Sequence, residues 1–104
     1  LFFYARLLDD TGQAKRAAQM YEKVLTFVPE DAEVHTYYGR SLGKNNQQFS
    51  GFLHLAYAAL YSNDARRVDG WLEKARPLAL SDAEKKRLAD FEEQLNARKK
   101  LWKK

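Results

Sequence analysis

The 104-residue sequence predicts an all-α fold: about six helices, paired as stacked antiparallel hairpins and closed by a long C-terminal helix. Three observations carry this. First, the sizes and polarities along Leu1 to Pro29 recur 34 residues on: Tyr4 as Tyr38, Ala5 as Gly39, Leu8 as Leu42, Ala17 as Gly51, Tyr21 as Leu55, Val24 as Ala58, and the terminating Pro29 as Asn63. Second, apolar residues return at helical spacing between turn signals. Third, small positions alternate with bulky ones, and that alternation at a period of about 34 marks stacked helical hairpins.

Taken in order, Leu1 to Asp10 reads as a helix with Leu1, Tyr4, Ala5 and Leu8 on one face. Asp9-Asp10-Thr11-Gly12 ends it, Gly12 being able to take the left-handed C-cap conformation. Gln13 to Val28 is the second helix, with Ala17, Met20, Tyr21, Val24 and Phe27 as its stripe. Ala5 and Ala17 are where the two axes approach most closely. Pro29 forbids continuation. Ala32 to Gly43 carries His35, Tyr38, Gly39 and Leu42, and Lys44-Asn45-Asn46 forms the next turn. Gln47 to Tyr61 is the most apolar helix, with Phe49, Phe52, Leu55, Ala56, Ala59 and Leu60. Asp64 is placed to cap a fifth helix reaching about Arg76. Ser81-Asp82-Ala83-Glu84 is a capping box that opens the final helix, striped by Leu88, Phe91, Leu95 and Trp102. A polar-backed helix of this kind suits the end of a helical stack.

The units are hairpin 1 (1–31), hairpin 2 (32–63) and a degenerate hairpin 3 with its capping helix (64–104), all within one domain. A competing count exists. Leu72-Glu73-Lys74-Ala75 before Leu80-Ser81-Asp82 mimics Tyr21-Glu22-Lys23-Val24 before Pro29-Glu30-Asp31 at an offset of 51, which makes the fourth helix a first helix.

A chain of this length buries a core without metal or disulfide. Six Tyr, six Phe and two Trp argue against disorder. No run of 18 apolar residues exists to span a membrane. With no cysteine, this chain has no disulfide, thiolate catalysis or Cys-zinc site. It opens at Leu1 inside an amphipathic pattern without an initiator Met or signal sequence, the expectation for a fragment of a longer protein. The net charge of +4 is a tail property: residues 1–63 carry six acids and six bases, whereas residues 98–104 carry five bases and no acid.

At the residues repeated between Leu1 and Asn63, the chain resembles the tetratricopeptide repeat (TPR) family. The resemblance implies a TPR-like right-handed solenoid in which the first helices of successive hairpins line a concave groove. Opposite the core face stand Phe3, Arg6 and Asp10, then Tyr37, Arg40 and Lys44 a period later, then Trp71 and Lys74. These form an aromatic column (Phe3, Tyr37, Trp71) and a basic column (Arg6, Arg40, Lys74), at positions similar to the family's groove lining. An aromatic beside a cation suits an extended peptide with acidic residues. The expected function is therefore non-catalytic binding of a peptide or partner protein, without a cofactor. The family's terminal-carboxylate clamp needs an Asn that is absent near Phe2, Arg6 and Tyr37, so that mode is not expected.

A narrower resemblance lies in Gly39, Leu42-Gly43, Gly51, Leu55-Ala56, Tyr61, Asn63-Asp64 and Lys74-Ala75-Arg76. These look like the C-terminal TPR tail of bacterial periplasmic zinc metalloproteases. It implies a periplasmic docking domain, with the H-E-x-x-H helix elsewhere in the full chain. Without it, a cytoplasmic location is the expectation.

Other motifs reduce to structure. Asp9-Thr11-Gly12 lies in a D-D-T-G run, but aspartic-protease chemistry needs paired Asp in a β context, and here the run joins two helices. His35 and His54 are the only imidazoles and lack metal-ligand spacing, so His35 reads as a half-buried packing residue. No Gly-rich phosphate loop or Ser/His/Asp set is present. The alternative function is nucleic-acid or anionic-membrane binding through the basic tail of residues 98–104. A third route is self-association through the apolar face of the first helix.

Overall fold

The computed structural model describes residues 1–102 and contains six α-helices, with no strand among those residues. They are α1 (Phe2–Asp10), α2 (Ala14–Phe27), α3 (Ala32–Lys44), α4 (Gln48–Tyr61), α5 (Ala65–Ala75) and α6 (Asp82–Trp102). A 3-10 turn at Arg76–Leu78, holding Pro77, separates the last two, so the fifth helix stops one residue short of Arg76.

Three of the connections are the same object. Gly12 (φ 81°), Asn46 (φ 62°) and Asn63 (φ 57°) each take the left-handed conformation two residues past the end of a helix. The amide that follows each then donates five residues back, Gln13 to Leu8, Gln47 to Leu42 and Asp64 to Ala59, at 2.8–2.9 Å. This turn satisfies the last carbonyls of a helix, and Gly or Asn is what it demands. The N-termini are capped in kind. Asp31 accepts from the Val34 amide at 3.0 Å and Asp64 from the Arg67 amide at 3.2 Å. The Ser81/Glu84 capping box closes in both directions at 3.0 Å, and the Ser81 amide holds the Glu84 carboxyl below the usual carboxylate range.

The repeat is visible as distance. Residues about a period apart lie side by side on parallel helices: Phe2 beside Tyr37 and Asp9 beside Lys44 on α1 and α3. Ser50 meets Arg87, Tyr61 meets Gln94 and Asn63 meets Arg98 on or beside α4 and α6. The 34-residue count therefore describes the stacking. The offset of 51 has a separate cause, because Gly12 and Asn63 stand that far apart and occupy the same turn.

Within the second hairpin, α3 and α4 meet backbone to backbone. A Cβ on Gly39 would lie 2.8 Å from the Gly51 carbonyl, and one on Gly51 would lie 2.9 Å from the Gly39 carbonyl. The equivalent contact in hairpin 1 is made by Ala5 and Ala17, both wholly buried. On either side of the glycine contact lies an apolar cluster. One is built of Ala5, Leu8, Ala17, Tyr21 and Val34; the other of α4, α5 and α6 residues including Leu53, Leu60, Val68, Leu72, Phe91 and Leu95.

Several expected core positions differ. Phe27 is 77% exposed, because it lies about 120° around α2 from the buried Tyr21, outside a stripe roughly 100° wide. Leu1 and Tyr4 are exposed and only Ala5 and Leu8 of that face are buried, since the side that α3 packs on α2 has no counterpart on α1. His35 is buried rather than half-buried, and Val34 and Leu53 join the core from outside the expected stripes. Phe52 and Leu55 are half-buried. In α6, Phe91 and Leu95 are buried while Leu88 and Trp102 are half-buried.

Candidate functional site

The candidate residues sit on α1, α3 and α5, alternate helices that are positioned by packing on α2 and α4. Side chains at equivalent turns of these helices face the same side, so a period-34 column in sequence becomes a line across them. Tyr37, half-buried on α3, is the centre. Its ring stacks on buried Tyr21 at 6.5 Å and meets Phe2 edge-on at 5.5 Å. The Arg6 guanidinium lies 4.6 Å over the Tyr37 ring, and that of Arg40 lies 5.8 Å from it. Two cations thus flank one aromatic face. Neither arginine has an ion-pair partner among the described residues.

A cavity of about 220 Å³ opens between α1 and α3, lined by Arg6, Asp9, Asp10, Tyr21, Tyr37, Arg40 and Lys44. Arg40 also lines a second cavity of about 270 Å³ with Thr36, Asp64, Arg67 and Trp71, so it stands between the two. Four of the expected groove residues, Arg6, Tyr37, Arg40 and Lys44, meet at the first cavity. Trp71 joins Arg40 at the second. Lys74 lies 5.1 Å over the Trp71 ring, which itself stacks on Phe52 at 5.9 Å. Phe3 stands apart: it is 81% exposed and lines neither cavity.

The charges are not equally free. Lys44 Nζ sits 3.4 Å from Asp9 Oδ1, and the Asp9 side chain is only 6% exposed, so Lys44 neutralises a buried carboxylate. Arg67 pairs with Asp64, the cap of α5, at 3.4 Å. At the floor, the Tyr21 hydroxyl and Asp9 Oδ1 are buried without a hydrogen-bond partner among the described residues. Burial, with the Asp9 charge adding to it, pushes the Tyr21 hydroxyl up to about 12, so it stays protonated and available to donate.

Sequence columns missed three contributors. Phe2, not Phe3, supplies the aromatic edge against Tyr37, and Thr36 lines the second cavity. Phe2, Thr36 and Gly70 themselves form a column at the period of 34, one position before the one read, so the signal was present. Arg67 has no such signal, because its place depends on how far α5 is pushed from α3.

A second cluster lies on the α4–α6 side. His35 on α3 and His54 on α4, 19 residues apart, approach with Nδ1 to Nδ1 at 3.0 Å and rings stacked at 5.2 Å. Together with Leu25, Pro29, Tyr57, Tyr61, Arg87, Asp90 and Gln94 they line a cavity of about 330 Å³. The antiparallel register set by Gly39 against Gly51 brings them together, and no periodicity within one helix reports it.

The fold is an all-α array of antiparallel helical hairpins, with basic and aromatic side chains of α1, α3 and α5 lining two cavities. No family model, curated protein or solved structure matches the chain. No helix among the described residues is long and apolar enough to cross a membrane.

Proposed function

We propose that this chain is a TPR-like protein-interaction module that binds an extended acidic peptide segment across α1, α3 and α5. The observation that carries the reading is the Arg6–Tyr37–Arg40 arrangement: two guanidiniums, without carboxylate partners among the described residues, within 6 Å of one aromatic ring that stands beside two cavities. A carboxylate paired with either guanidinium gains a charge-assisted, bidentate bond, while its neighbouring apolar side chain packs on Tyr37 or Trp71. Phe3, Lys44 and Lys74 flank that centre, with Lys44 held back by Asp9.

The test is binding of an array of peptides alternating acidic and apolar residues, read against Arg6→Glu/Arg40→Glu/Lys74→Glu. Hydrogen bonds to charged groups contribute about 1.5 kcal/mol or more each, so losing two predicts a fall of about 100-fold or more. Unchanged affinity in a variant whose helical signal is intact would remove the groove from consideration.

The tail is a weaker candidate, because two of its described residues, Arg98 and Trp102, turn inward, leaving Lys99 and Lys100 as its exposed described cations. Arg98 reaches Glu30 at 2.8 Å and lies 5.2 Å over the Tyr61 ring, and Trp102 Nε1 donates to Asn63 at 3.0 Å. Lys103 and Lys104 lie outside the described residues. A salt titration separates the two readings, since phosphate contacts lose affinity steeply with salt.

One observation favours a second reading, self-association. Leu1, Phe3, Tyr4 and Leu7 are all exposed on α1, whereas Ser41 and Ala75, the period-34 equivalents of Leu7, are buried. Leu7→Glu is expected to abolish any concentration-dependent sedimentation of the wild type. A wild type that sediments as a monomer at all concentrations refutes it. The narrower metalloprotease-tail resemblance supports placing the module beside a catalytic domain in a periplasmic protein, which residues preceding Leu1 would test directly.

A further inference from the structure

We propose that the His35–His54 pair is an acid-sensitive joint: the neutral pair ties α6 and residues 28–31 to the α3–α4 seam, and below about pH 6.5 proton uptake by the imidazoles of the opened seam makes that opening progressively more favourable. The geometry assigns the protons. His35 Nε2 faces the Pro29 carbonyl at 2.8 Å, so that nitrogen carries hydrogen and donates. In the neutral ring, Nδ1 of His35 is then an acceptor, and the 3.0 Å contact requires His54 Nδ1 to donate to it. A relay results, running from His54 through His35 to the backbone of the α2–α3 connection. It works only while His35 is neutral. A proton on His35 Nδ1 sets N–H against N–H across 3.0 Å and ends the link.

The position makes the link consequential. The two apolar clusters lie on either side of the α3–α4 contact, where Gly39 and Gly51 contribute no side chains. The imidazole pair is the polar tie at that seam, roofed by Tyr57 at 5.4 Å from His35 and by Tyr38 at 4.4 Å from His54. Gln94 of α6 lines the same cavity and accepts from Tyr61 at 2.9 Å, so α6 leans on the pair's surroundings.

The facing groups oppose uptake of a proton on balance. From α6, Arg87 repels a charge on His54, and Asp90 lines the cavity as the one carboxylate on that side. From the α2–α3 connection, Asp31 and the Pro29 carbonyl favour a charged His35, but burial outweighs them and draws its pKa down. The tyrosines from α3 and α4, Tyr38, Tyr57 and Tyr61, are all raised by burial and stay neutral. Leu25 from α2 brings no charge. Burial first, then His35 and Arg87, lower His54 to about 3. Below the ordinary histidine value the unfolded chain therefore takes up a proton that the folded chain refuses. Stability present above about pH 6.5 is lost as the pH falls.

The experiment compares urea unfolding of the wild type and His54→Gln at pH 7.5 and 5.5. Gln keeps an amide donor for His35 Nδ1 but cannot titrate. The unfolding constant of the wild type should rise by about 10-fold more than that of the variant across this interval, which requires only a folded pKa below about 5. Hydrogen exchange, corrected for intrinsic rates, should show α6 and residues 28–35 opening at pH 5.5 ahead of α1 and α2. Equal pH dependence in the two proteins, or uniform opening along the chain, overturns the joint. If His54→Gln does not fold, the imidazole titration of the wild type by NMR decides: a His54 midpoint near 6.5 refutes it, and one well below supports it.

Discussion

Replacing Phe91 by Ala is expected to cost about 3–5 kcal/mol, among the larger losses open to a single truncation of the described core. Phe91 is wholly buried and meets the Tyr57 ring edge-on at 4.7 Å and 82°. It comes from a helix whose other contacts are mostly polar and exposed: Arg87 to Ser50, Gln94 to Tyr61, Arg98 to Glu30. Exposed polar pairs of this kind contribute little. Holding α6 on the stack therefore falls to Phe91 and Leu95, the only wholly or nearly buried side chains of that helix among the described residues. Domains of this size are stable by only about 5–15 kcal/mol, so the variant should unfold at markedly lower denaturant or lose α6 first. Chemical denaturation, with far-ultraviolet circular dichroism as the probe, measures it. A loss under about 1 kcal/mol would mean that α6 is not anchored through Phe91.

Gly39→Ala is expected to destabilise by about 2 kcal/mol, although Ala is the better helix former by about 1 kcal/mol. The added Cβ would lie 2.8 Å from the Gly51 carbonyl oxygen and 2.9 Å from Leu55 Cγ. The nearer of these is backbone, which cannot rotate away, so α3 and α4 must separate. That separation would pull the packed residues on both sides out of contact. Gly70→Ala is the matched control. It too lies within a helix, a Cβ there meets nothing within 4 Å, and the same propensity should stabilise it by up to about 1 kcal/mol. If both substitutions stabilise, α3 and α4 do not make the backbone contact described here. If both destabilise alike, the cost is not steric.

How much of this was legible follows from range. Turn chemistry is local: Gly12, Asn46 and Asn63 announce left-handed residues, and Asp64 and Ser81 announce caps. The meeting of Arg6, Tyr37, Arg40 and Lys44 at one cavity was legible, because a repeat converts sequence spacing into spatial alignment. The contact with Tyr37 falls to Phe2, one position from the expected Phe3. A 100° step decides which of two adjacent aromatics faces the neighbouring helix, and a pattern alone leaves that open. The Asp9–Lys44 pair was missed because the turn motif accounted for Asp9 without reference to α3.

The sequence by itself determined the elements, their ends and their stacking period, since each depends on residues within one turn or one repeat. Only the tertiary structure decided how closely the helix backbones meet, which of the candidate-site cations are already paired, and that two distant imidazoles share a hydrogen bond. Those outcomes rest on the separation and register of antiparallel helices, set in hairpin 2 by two glycines that the small-residue pattern marks as a contact but whose distance of approach it does not carry.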